Sequence, residues 1–490
     1  MEPVDGRPDP GPQPDTAPGP GPQPDTAPGP GPQPDTAPGP EPRPRYRAYR
    51  RRWLVMLATC TLSCSNAMCW LTFAPVADQT ARYFHISMAQ VNWLSMVYLV
   101  VGVPFGFGTT WILDTLGLKT SLILSSWLNL FGCAVQFLSV AFFIPQDSWK
   151  FPLLMVGQTL GALAQPLVLF APTKLAALWF PEQQRATANM ISSMANPLGI
   201  LFANILSPLL VKRPSAMPML LGVYAVPAVI ACLLVTAVIR DKVPPTPPSA
   251  GAANSTSEPF ITGMKMLLKN KAYLILMMCF GGGVGIFTSF SALLQQIMCV
   301  RGYSNSFAGL CGGLFIIFGI LGAFVVGLYV DRTKKFIETT KINFCLTAFA
   351  SIAFALVSRM RDVPVGLAVV CSLFGLLGFS IYPVGMELGV ECSYPVGEAT
   401  SAGLIFVSGQ LQGALFILLL PALAQPVTSD GSACQVGVGA ALDWTIPTLV
   451  LAAICSLEAC CFALWFHTDY RRVSAENYEE ATALLDGATE

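Results

Sequence analysis

The chain has 490 residues, 53% of them hydrophobic and only 11% charged, which excludes a soluble globular domain and far exceeds what a single membrane anchor needs. Lys plus Arg and Asp plus Glu stand at 28 each, so net charge points to no nucleic-acid partner. The 15 cysteines lie mostly inside apolar stretches, Cys60, Cys64 and Cys69 among them, where a thiol packs as a small apolar group and not as part of a disulfide scaffold. Cys299 and Cys434, both toward the non-cytosolic face, form the one candidate pair.

Residues 11–40 hold GPQPDTAPGP three times in tandem. This Pro- and Gly-rich arm, residues 1–45, has no large apolar residues to build a core and is expected to be disordered and cytosolic. The basic cluster Arg43, Arg45, Arg47, Arg50, Arg51 and Arg52 leads straight into a full-length span without a cleavage site, so the first span reads as an uncleaved anchor. Twelve apolar stretches follow, each long enough for a hydrocarbon core of about 30 Å, which takes about 20 residues of helix. Six are expected in residues 46–240, near 53–77, 90–113, 119–144, 151–178, 187–211 and 217–239. Six more are expected in 271–468, near 272–298, 305–330, 337–358, 364–388, 399–424 and 443–466. A polar linker, 241–270, separates the sets, and 469–490 form a tail. Two six-helix halves around a polar linker are the layout of an all-α carrier that rocks about a central site.

Basic residues in short loops set the orientation: nineteen on one set of faces against seven on the other place both termini and the linker in the cytosol. The single sequon, Asn254-Ser255-Thr256, then falls in the cytosolic linker and stays unglycosylated. Gly102 with Gly106, Gly281 with Gly285, Gly309 with Gly313 and Gly409 with Gly413 are each four apart, the spacing of close helix packing. Pro75, Pro166, Pro172, Pro197, Pro227 and Pro383 sit in or at the ends of spans, where each bends or breaks a helix.

Charge inside the spans is scarce. Apart from Glu458 in the twelfth, ionisable groups such as Lys174 and Glu387 stand near span ends, so no carboxylate or histidine is expected at the central site, and Glu458 is expected paired at a packing contact. Proton-driven carriers generally need such a relay, so facilitated uniport is the economical mechanism. His85 and His467 both lie at span ends, which leaves no imidazole to ligate haem iron centrally. Glu387 and Glu391 share one helix face, but with no Ser triad, His or metal cluster nearby they read as gate residues and the chain as no enzyme. Glu480 to Leu485 in the tail has the form of an acidic dileucine signal for a trafficking adaptor, consistent with the plasma membrane, with endosomal or lysosomal membrane as the alternative.

Asp114-Thr115-Leu116-Gly117-Leu118-Lys119 after the second span and Gly327 to Lys335 after the eighth occupy equivalent places in the two halves. The pattern, with Asp331 and Arg332 in the second copy, resembles the loop signature of the major facilitator superfamily, in which an acid and neighbouring cations latch two helices on the cytosolic side. Asp114, Lys119, Asp331, Arg332, Glu387 and Glu391 are therefore the candidate gate. A more specific resemblance covers about 50–470. Asn66 to Trp70, Asn92 to Tyr98, Trp111 to Asp114, Trp179-Phe180 and Glu387 to Pro395 resemble the feline leukaemia virus subgroup C receptor-related transporters, solute carrier family 49.

The resemblance implies a twelve-helix major facilitator fold with pseudo-symmetric halves and a choline or ethanolamine cargo, with haem as the alternative. It also implies a solute site at Trp70, Gln165, Thr288 and Gln410, where Thr288 replaces the family's tyrosine. Asn66, four residues before Trp70, adds a polar group on the same helix face. Independently, Gln165, Thr288 and Gln410 fall mid-span, where a polar side chain is costly unless it pairs or lines a wet cavity. A tryptophan face attracts an ammonium by about 0.5–2 kcal/mol. A sensor or receptor that keeps the fold without flux is the reading from another class.

Overall fold

Hydrocarbon offers the backbone no hydrogen-bond partner, so each apolar stretch closes its own amides as an α-helix. The computed structural model describes residues 49–140, 147–241, 243–246, 260–333, 335–427, 441–471 and 474, and among them twelve helical segments are long and apolar enough to cross a membrane. The repeat arm, the sequon at Asn254 and the Glu480 to Leu485 motif lie outside the described residues.

The first span is two helices, α1 (Arg51–Trp70) and α2 (Ala77–Phe84), joined through a 3-10 turn at Ala74–Val76. Pro75 in that turn has no N–H to extend an α-ladder, which stops the helix just after Trp70. α3 (Met88–Thr115) begins on a capping box between Ser87 and Gln90, and α4 (Leu118–Leu138) follows. The fourth span parts into α5 (Asp147–Leu169) and α6 (Ala171–Trp179) between Pro166 and Pro172. α7 (Glu182–Leu210) and α8 (Met217–Val238) complete the first half.

The second half is α10 (Lys271–Cys299), α11 (Asn305–Thr333), α12 (Phe336–Val357), α13 (Pro364–Ser393), α14 (Glu398–Leu423) and α15 (Thr445–Trp465). Short strands β1 (Gln425–Val427) and β2 (Ala441–Asp443) pair antiparallel between α14 and α15. Cys299 is engaged in a disulfide, while Cys434 lies outside the described residues.

The helices differ from the sequence expectation in several places: α2 carries the first span on to Phe84, past the expected 77, and α7 begins at Glu182, ahead of the expected 187. Within the linker, α9 (Phe260–Lys269) forms because Gly263, Met264 and Leu267 recur at helical spacing and turn inward, Gly263 against Val396. α4 ends at Leu138, short of the expected 144, and residues 141–146 lie outside the described set. α13 runs past the expected 388 to Ser393, which carries Glu391 into the helix.

The halves meet chiefly through α3 against α14 and α7 against α11. These are spans two with eleven and five with eight. Exchanging the halves turns one pair into the other, as a pseudo-twofold requires.

Within the second half, α10 and α14 cross where both lack side chains. A Cβ on Gly285 would lie 2.8 Å from the Gly413 nitrogen, and one on Gly281 would lie 2.8 Å from Ser408 Oγ. Such contact leaves nowhere for an added carbon, and overpacking of this kind costs about 1–3 kcal/mol. Gly285→Ala should therefore lower the melting temperature of the purified protein by several degrees. Gly283→Ala, two residues away with nothing within 4 Å of the new carbon, should leave it unchanged.

Candidate functional site

A cavity lies between the halves, with about 1100 Å³ of empty space including its mouth. Trp70, Gln165, Thr288 and Gln410, from spans one, four, seven and eleven, all line it. The helix break after Trp70 sets that side chain at the wall. Its indole N–H donates to the Ser95 carbonyl at 3.3 Å, so only the ring face remains for a ligand. Gly102 of α3 leaves the space that the Gln410 side chain occupies, its missing Cβ 3.4 Å from Gln410 Cγ. Gln165 and Gln410 each hold a buried Oε1 without a hydrogen-bond partner, and Asn196 on the same wall holds a buried Nδ2 in the same condition. Thr288 donates to the Gly285 carbonyl at 2.9 Å.

Asn66 is placed elsewhere. Its Nδ2 donates to Asn129 Oδ1 at 3.1 Å and to the Gly161 carbonyl at 3.0 Å, fully buried inside the first half. It joins three spans and does not reach the cavity.

Eight further aromatic rings line the wall, and Phe170 backs it. Phe170 of the first half stacks on Phe406 of the second with centroids 5.4 Å apart, and Tyr382 and Phe280 continue the layer. Phe287, beside Thr288, lines the cavity and packs on Phe315 and Phe379. Phe290, the other neighbouring ring, turns into the core among Phe315, Phe354 and Phe374. Neither His85 nor His467 is on the wall, and no Lys or Arg lines it among the described residues.

One acid does. Glu458 on α15 lines the cavity, contrary to the expectation of a group paired at a packing contact. α15 packs on α10 and α12, and α10 carries Gly281, Gly282 and Gly283 at that height. Gly282 lies so close to the Glu458 carboxylate that a Cβ there would overlap it. Glu458 makes no hydrogen bond or ion pair among the described residues.

Polar contacts join the halves toward both ends of the bundle. At the end where the linker joins, Asp114 of α3 accepts from Lys174 Nζ of α6 at 2.7 Å and from Thr400 Oγ1 of α14 at 2.9 Å. Asn189 of α7 donates to Glu387 of α13 at 3.3 Å. Of the other expected gate residues, Lys119 donates to the Arg240 carbonyl within the first half, Arg332 is exposed, and Glu391 is buried. The side chain of Asp331 lies outside the described residues. At the opposite end Asn305 of α11 donates to Asp78 of α2 at 2.7 Å, and Gln296 of α10 donates to Asn92 of α3 at 2.6 Å. Sequence reasoning did not reach Thr400, Asn189 or this second set, although an Asp at the end of an apolar span marks position 78.

The sequence profile of the Major Facilitator Superfamily matches residues 55–417. Solute carrier family 49 member A3 of Xenopus tropicalis is 56% identical over 435 residues, 88% of this chain and 90% of that protein. The choline/ethanolamine transporter flvcr2a of Danio rerio is 30% identical over 390 residues, 76% of this chain and 80% of that protein. Among solved structures, a D-xylose-proton symporter superposes with a TM-score of 0.64 at 11% identity, over 86% of this chain and 99% of that one.

Asp114 and Lys174 retain only 12% and 19% side-chain exposure, so removing one partner strands a poorly hydrated charge. A double-mutant cycle of Asp114→Asn and Lys174→Ala, read by thermal unfolding, should give a coupling of about 1 kcal/mol or more. The exposed Arg51–Asp241 pair, at 37% and 45%, should give close to none.

Proposed function

We propose that this chain, which belongs to solute carrier family 49 within the Major Facilitator Superfamily, carries a small polar or cationic organic solute across a membrane by alternating access. The observation that carries this reading is the convergence of Trp70, Gln165, Thr288 and Gln410 from both halves on one cavity whose described walls hold no basic residue. A tryptophan face and neighbouring rings attract an ammonium, while the unpartnered amides of Gln165 and Gln410 suit the hydroxyl or amine of a small polar solute. Relatives named as choline/ethanolamine transporters make that chemistry the leading cargo, with Thr288 as the point where preference is expected to differ.

In this reading the two sets of end contacts are the gates: one must open while the other holds. The bias of basic residues supports placing the linker end in the cytosol, and the plasma membrane is the proposed site. The case for uniport rests on a cavity free of acids, and Glu458 removes it.

Uptake of a labelled panel including choline and ethanolamine, in cells expressing the chain, tests this. Trp70→Ala and Gln410→Ala should each cut uptake of the carried solute about tenfold, the equivalent of about 1.4 kcal/mol of lost binding. Uptake indifferent to both changes would displace the site, and no uptake of any solute would favour the sensor reading.

A further inference from the structure

Glu458 is the one acid on the cavity wall among the described residues, and the proposed solute site does not use it. A carboxylate set in apolar surroundings inside a membrane is costly unless it takes a proton or a counter-charge. No counter-charge stands there. Facing it are Gly282 and Cys279 of α10, with Cys455 and Cys461 on α15 itself. On the same cavity wall α12 contributes Phe344 and Thr347 and α13 contributes Phe374 and Gly378, while Ser351 of α12 bonds Cys455 and Ser408 of α14 lies near Gly281. The thiols are the only titratable neighbours among these, and none is basic. A metal cation would need several oxygen ligands, which this set does not gather, and no cluster of three metal-binding side chains exists among the described residues.

The glycine run 281–283 gives the carboxyl its room and its opening to the cavity. A side chain at Gly282 would displace it, whereas Gly283 beside it meets nothing within 4 Å. An acid with no fixed partner, reached from a cavity that must face water on one side at a time, has the placement of a group that exchanges a proton with that water.

We propose that Glu458 is a proton-binding site of the transport cycle. Water in the open cavity supplies a proton that forms an O–H bond on the carboxylate, and the neutral acid crosses with the solute. Proton and solute leave to water on the other side, and the empty carrier returns with the carboxylate ionised, so that one proton moves with each solute. No bond to carbon changes and no electron is transferred. The proposal rests on the transport reading above and adds the driving force.

Two measurements on the purified full chain in proteoliposomes test it. Dicyclohexylcarbodiimide, which modifies protonated carboxyls in apolar surroundings, should label Glu458 at neutral pH by mass spectrometry. E458Q should remove that adduct. With the membrane potential clamped at zero, a one-unit pH gradient should drive about tenfold accumulation for one proton per solute. E458Q should lose accumulation yet retain measurable solute exchange, and E458D should restore part of the accumulation. A wild-type protein that accumulates nothing while exchanging solute, or an E458Q variant that still accumulates it, would overturn the proposal. Dependence on sodium in place of protons would also overturn it. If no solute exchanges at all, the transport reading fails by itself, and the labelling decides separately whether Glu458 carries a proton: an unlabelled Glu458 in folded protein would overturn it.

Discussion

The cost of an unpaired polar group in hydrocarbon organises this molecule. Inside the spans, polar side chains are largely tied to one another or to backbone. Asn66, Asn129 and Ser65 bond across α1 and α4, Tyr273 donates to the Ser401 carbonyl across α10 and α14, and Ser207 bonds Tyr224 between α7 and α8. Unpaired buried atoms occur elsewhere too, Asn66 Oδ1 and Gln158 Oε1 among them, but those of Gln165, Asn196 and Gln410 share the cavity wall, where a ligand or water would satisfy them. Glu458 belongs to the same set by a different chemistry, since it needs a proton or a cation and not a hydrogen bond alone.

The symmetry of the halves gives these groups their setting. Spans two with eleven and five with eight form equivalent seams between the halves. Along the α10–α14 crossing, facing glycines bring the backbones together, and Thr288 and Gln410 of these two helices line the cavity. The contacts at the two ends, Asp114 with Thr400 and Asn189 with Glu387 at one, Asp78 with Asn305 and Asn92 with Gln296 at the other, are few and polar. A polar contact that becomes hydrated on opening is exchanged for water at smaller net cost than a packed apolar seam.

Much of this was legible in the sequence because its signals were local. Apolar runs marked the spans, prolines marked the breaks at Pro75 and between Pro166 and Pro172, and mid-span amides marked Gln165 and Gln410. Asp114 and Glu387 were visible as acids at span ends. What remained hidden depended on contacts between distant residues. Asn66 and Trp70 share a helical spacing, yet packing against Asn129 and Gly161 draws Asn66 into the half-bundle. Nothing near Glu458 in sequence reveals that Gly282 faces it, and that contact is what turns a packing residue of the twelfth span into part of the cavity wall. Lys174 was noted as a charge near a span end, but its partner Asp114 lies on another helix.

Alternating access is the central claim, and double electron–electron resonance tests it most directly. Nitroxide pairs at Thr115 and Thr333 report the linker end, and pairs at Ala89 and Ser306 report the opposite end, all four positions being exposed. With a carried solute present, one distance should lengthen as the other shortens, so that the two ends are never open together. Distances that stay fixed at both ends, or that widen together, would contradict it.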